Sequence, residues 1–215
     1  KYDALVRVKK KPIGNQLKII AFLSLVSLVL VGYYFFQLER ITQLVSFGIL
    51  AITALYTLPF FPNRKNARNW AGVKIYIVAL CWVGATLVLP LINAEIPFTA
   101  DFFIKCIQRF ILVFVLILVF EILDLANDDP HLQTVPQMIG VIHTKFLGLL
   151  LLVPFCLLDL LLTTFNYKDL SINMIMVGIL SLFIVFANTK RSKYYTSFWV
   201  EAVPVFWWFS LFLMY

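Results

Sequence analysis

Seven apolar runs of about 20 residues each, long enough to cross a bilayer, constrain this 215-residue chain more than any other feature. They cover residues 17–36, 41–61, 73–93, 103–125, 146–165, 170–188 and 197–214. At about 1.5 Å of rise per residue, such a run matches a hydrocarbon core roughly 30 Å thick. None alternates apolar and polar residues as a membrane barrel strand does, and lipid offers no partners to an unpaired backbone, so each run is expected to be a helix. Composition agrees, because 62% hydrophobic and 13% charged residues lie far from the soluble range. The sequence predicts an all-α, polytopic membrane helix bundle, with residues 1–215 in a single transmembrane domain.

Charge gives the expected orientation. The N-terminal segment and the loops after the second, fourth and sixth runs carry all but four of the 18 Lys and Arg residues, the four being Arg40, Lys105, Arg109 and Lys168. Short cytoplasmic loops retain positive charge, so these loops are placed in the cytoplasm and the protein in the cytoplasmic (inner) membrane. The net charge of +7 gathers at membrane edges, where anionic headgroups account for it, and forms no nucleic-acid recognition motif. Cys81, Cys106 and Cys156 stand singly in separate apolar runs and are read as small core hydrophobes.

The stretch "FEILDLANDDPHLQTVPQMIG", residues 120–140, then stands out. Glu121, Asp124 and Asp128 fall at i, i+3 and i+7, one face of a continuing helix, where like charges repel. A divalent cation relieves that repulsion, and Mg²⁺ takes hard carboxylate oxygens with water and substrate phosphate completing its shell. Asp129 turns away from that face. Arg64, Lys65 and Arg68 in "FFPNRKNARNW" supply cations on the preceding loop of the same side. Carboxylates with a metal facing guanidinium and ammonium groups suit a diphosphate. The plainer alternative is an acidic turn that marks the water interface.

These residues resemble the second acidic motif of the UbiA superfamily of intramembrane prenyltransferases, D-x-x-D-x-x-x-D followed by T-L-P and Gly. Glu121, Asp124 and Asp128 match its acids, Thr134 and Pro136 its Thr and Pro, and Gly140 its glycine. Glu121 replaces an Asp, the following loop is one residue shorter, and "DDPHLQ" replaces a basic, glycine-containing segment. The resemblance implies that Asp124 and Asp128 are catalytic, that Glu121, Asp124 and Asp128 bind Mg²⁺, and that Tyr56, Arg64, Lys65, Lys74 and Lys145 contact a polyprenyl diphosphate. The family has nine helices, so the chain is expected to lack two upstream ones and to begin near the first acidic motif, with Asp3 its last acid.

The implied activity is Mg²⁺-dependent transfer of a polyprenyl group from its diphosphate to an acceptor. The competing reading is a non-catalytic relative that binds lipid or serves as a structural subunit beside other membrane proteins. A small transporter ranks below both, for want of an inverted repeat. A CDP-alcohol phosphotransferase is excluded by the lack of any Asp-Gly pair. Within the runs, Asp159 is read as a structural hydrogen-bond partner, Glu201 as a cavity-rim acid and Lys105 and Arg109 as snorkelling cations. His131 and His143 are read as interfacial loop residues, and Pro90, Pro154 and Pro204 as kinks.

Overall fold

The computed structural model describes residues 15–58, 72–126, 128, 132–192 and 194–214. All regular structure among them is helical, and seven helices are long and apolar enough to cross a membrane. They are α1 (Asn15–Phe35), α2 (Arg40–Thr57), α3 (Val73–Asn93), α4 (Ala100–Asp124), α5 (Val135–Leu161), α6 (Tyr167–Phe186) and α7 (Tyr195–Met214). The chain divides into two compact units, residues 1–44 and residues 45–215. In the first, the described side chains of α1 are exposed or half-buried along its whole length.

The second unit is built around α4. Two thirds of its most apolar window, 67%, is buried, against 28% or less for every other helix. Leu112, Val115, Val119 and Ile122 are almost wholly enclosed. They pack in one cluster with Ile172, Met176, Leu180 and Ile184, a four-residue stripe down α6, and with Leu152 and Phe155 of α5 and Val200, Val203 and Trp207 of α7. Lipid is as apolar as these side chains, so close packing rather than escape from water holds them together. Small residues mark the tight approaches. A Cβ on Gly148 would meet Ile184 Cδ1 at 3.1 Å, and one on Gly84 would meet Ile49 Cδ1 at 2.9 Å.

Two helices widen into a π-helical turn ahead of a proline. In α3 a π-helical turn, Gly84–Val88, precedes Pro90, and in α7 the π-helical Tyr195–Val200 precedes Pro204. Proline has no N–H to donate, and a wider turn is one way the ladder absorbs the loss. Pro154 lies inside α5, which tightens to a 3₁₀ turn at Leu158–Leu161.

The largest departure from the expected boundaries is in α5, which begins at Val135 and not at residue 146. The polar residues of "VPQMIGVIHTK" hide a helix from hydropathy, yet its start is well specified. Pro136 stands in the first turn, where a missing N–H costs nothing. The Gln137 side chain accepts from the Thr134 N–H at 3.0 Å. Gly140 breaks this first turn from the rest, with φ 81° and ψ 160°, a conformation open essentially to glycine alone.

A Cβ at Gly140 would touch nothing within 4 Å, so substitution there meets a backbone cost without a packing cost. Gly140→Ala is expected to destabilise the fold by about 1–3 kcal/mol. Gly178→Ala, inside α6 with equally open space, is expected to be neutral or slightly stabilising. Denaturation of the purified protein in detergent compares the two.

Candidate functional site: two clefts that share a wall

The acidic segment sits where α4 ends and α5 begins, and the three matched acids take different roles. Glu121 is buried, at 3% exposure. Its Oε2 accepts the Val135 backbone N–H at 3.1 Å, one of the first-turn donors that a helix leaves without an internal partner. A carboxylate at a helix N-terminus is also favoured by the helix dipole. Glu121 therefore ties the start of α5 back onto the last turn of α4.

Asp124, the last residue of α4, is exposed and lines a cleft of about 470 Å³. Lys74 of α3 and Glu201 of α7 line the same cleft, whose remaining wall is apolar and includes Trp82, Ile117 and Phe120. Asp128 follows one turn on, its N–H donating to the Asp124 carbonyl at 2.9 Å. Its Oδ2 is buried and has no hydrogen-bond partner among the described residues, an expensive state for a charged acceptor. Lys74 and Asp128 both lie near enough to Glu121 to act on it electrostatically. Among the described residues, no three His, Cys, Asp or Glu side chains form a metal-holding group.

The other expected site residues are scattered. Tyr56 is half-buried near the end of α2 and is not among the described residues lining this cleft. Lys145 Nζ donates to the Val185 carbonyl at 2.8 Å, satisfying one of the last carbonyls of α6. Arg64, Lys65, Arg68, Asp129, His131 and Asp3 lie outside the described residues. His143 is exposed, with Nδ1 2.9 Å from the Ile139 carbonyl.

Comparison with protein-family models, with curated proteins and with solved structures gives no match. The chemistry must be argued from the side chains themselves.

A second cleft has a volume of about 380 Å³. It shares Trp82, Glu201 and Pro204 with the first and adds Thr86, Arg109, Trp207 and Trp208. Here Arg109 does not snorkel outward. Its guanidinium carbon lies 4.5 Å from the Trp207 ring centroid, within range of a cation–π interaction. Its Nη1 makes a long 3.4 Å contact with Thr86 Oγ1. The sequence reading of Arg109 as a snorkelling cation gave no sign of this cleft, and the convergence of three tryptophans on it required the fold.

Beyond Trp207 lies a buried polar network. Trp207 Nε1 donates to Asn173 Oδ1 at 3.0 Å, Asn173 Nδ2 to Asp159 Oδ2 at 2.7 Å, and Gln108 Nε2 to Asp159 Oδ1 at 2.7 Å. Lys105 Nζ stands 3.9 Å from Asp159 and 3.7 Å from Asp169. Asp159 is thus a structural hydrogen-bond partner, as its position in an apolar run suggested, and Lys105 is engaged rather than snorkelling.

Proposed function

We propose that this protein is a UbiA-like membrane protein that binds a polyprenyl diphosphate with Mg²⁺ and transfers the prenyl group to an acceptor. The supporting observation is the cleft in which Lys74 and Asp124 accompany a long apolar wall. That division suits an amphiphile with a charged head and a hydrocarbon chain. Asp124 and Asp128 are the carboxylates that fit Mg²⁺, which needs only one or two from protein when phosphate and water complete its shell. The Oδ2 of Asp128, without a partner among the described residues, is the kind of acceptor a cation would satisfy. When bound, the ion supplies neutralisation of the charge that grows on the departing diphosphate.

The protein's own groups do the rest. Lys74 pairs with phosphate oxygens, the role that the resemblance also gives Arg64 and Lys65. Trp82 and Phe120 hold the chain and keep water from the reacting carbon. The distribution of Lys and Arg supports a cytoplasmic location for this end of the bundle.

Calorimetric titration with a prenyl diphosphate, with and without Mg²⁺, tests the reading. Mg²⁺ is expected to raise the affinity of the parent about tenfold or more, and Asp124→Asn to lose that gain, since charge-assisted contacts to phosphate are the strong ones. Asp129→Asn is expected to matter far less. Binding that ignores both Mg²⁺ and Asp124 would support a second reading, a non-catalytic lipid-binding or structural subunit. One observation already favours that alternative: Glu121, at the motif's first acidic position, is engaged in holding α5.

A further inference from the structure

We propose that the second cleft is a binding site for a lipophilic monocarboxylic acid, whose carboxylate pairs with Arg109 and whose hydrocarbon body lies against Trp82, Trp207 and Trp208. The proposal does not depend on the prenyl-transfer reading, because it concerns a different cleft and a different charge.

Its starting point is a guanidinium with incomplete partners. Among the described residues Arg109 Nε is buried without a hydrogen-bond partner, and no carboxylate among them forms an ion pair with Arg109. A π face and one long contact to a neutral hydroxyl compensate it poorly. The Thr86 hydroxyl spends its own proton on the Trp82 carbonyl at 2.7 Å. An arginine within a membrane span normally finds an acid, a carbonyl or water, and here the space beside it is a cavity of about 380 Å³. An anion in that cavity gives the missing donor an acceptor and the charge a partner.

Depth selects the anion. Arg109 lies nine residues into α4, roughly 14 Å along the helix at about 1.5 Å per residue. A ligand whose head reaches that level must carry its own apolar body. It must also get there: a phosphodiester is permanently charged, whereas a carboxylic acid crosses hydrocarbon in its neutral form and ionises beside the cation, its proton passing to the aqueous phase. Glu201 adds a limit on charge. It lines the same cleft without pairing with Arg109, so a second negative group on the ligand would meet repulsion.

The three tryptophans report occupancy directly, because they are three of the five in the chain and bromine quenches indole emission on contact. Purified protein in phosphatidylcholine nanodiscs is titrated with dibrominated stearic acid and with its methyl ester. The acid is expected to quench at about tenfold lower mole fraction than the ester, the difference one charge-assisted pair makes. Arg109→Gln is expected to erase that difference, and Arg109→Lys to keep part of it. Equal quenching by acid and ester on the parent protein overturns the proposal without any variant having to fold. So does quenching that survives Arg109→Gln but disappears in Lys74→Gln, which would put the acid in the other cleft.

Discussion

Asp159→Leu is expected to destabilise the folded protein by about 2–4 kcal/mol, above the ~1 kcal/mol of a single hydrogen bond between membrane helices and toward the ~3–5 of a broken buried ion pair. Asp159 is 1% exposed, and its two oxygens collect amide donors from α4 and α6 at 2.7 Å each, with Lys105 beyond. Leucine fills similar space and accepts nothing. Gln108 keeps a bond to the Phe155 carbonyl at 3.0 Å, but Asn173 Nδ2 loses its acceptor. Lys105 falls back on Asp169. Asp159→Asn is expected to cost less, since one amide oxygen still accepts while the new NH₂ faces a donor. Unfolding in mixed detergent micelles, followed by circular dichroism, ranks the three proteins. Equal stability of parent and Leu variant would show that the network contributes nothing.

Glu121→Leu is the second large effect, expected at about 1–3 kcal/mol, because the Val135 N–H is left without its acceptor. Its signature is local: the Val135 amide is expected to exchange with solvent faster while amides in the middle of α4 stay protected. Glu121→Gln retains an oxygen for Val135 and is expected to preserve both stability and protection. That same variant separates two roles. If Glu121 acts only as the anchor of α5, Glu121→Gln leaves Mg²⁺-dependent prenyl diphosphate binding intact; if it is a metal ligand, that binding falls with the charge.

The seven spans were legible because each is a long apolar run, and membrane helices satisfy their own backbones whatever their neighbours do. The start of α5 was not, since Gln137, His143 and Lys145 dilute the hydropathy of a segment whose helical character rests on Pro136, Gln137 and the break at Gly140. Spacing put Glu121, Asp124 and Asp128 on one face of a continuing helix. The regular helix instead stops at Asp124, and the chain returns so that the first acid meets the backbone of the next helix. Spacing describes an element and says nothing of what folds back onto it.

Asp159 and Arg109 show the same boundary from the other side. A lone acid or cation in an apolar run announces that it needs a partner. The partners of Asp159 are uncharged amides, Gln108 and Asn173, which no charge-pairing argument selects from sequence. For Arg109 the partner is a ring, Trp207, in a chain whose aromatic content of 16% gives no reason to single it out.

Trp82, Glu201 and Pro204 belong to the walls of both clefts, so the two sites are thermodynamically linked whenever occupancy of either moves one of these side chains. Such linkage is reciprocal: the factor by which a ligand beside Arg109 alters affinity at the Asp124 end equals the factor in the opposite direction. Glu201 gives that factor a sign. An anion that pushes the Glu201 carboxylate toward Lys74 weakens the positive field felt by a second anion in the neighbouring cleft. The two occupants then compete without touching.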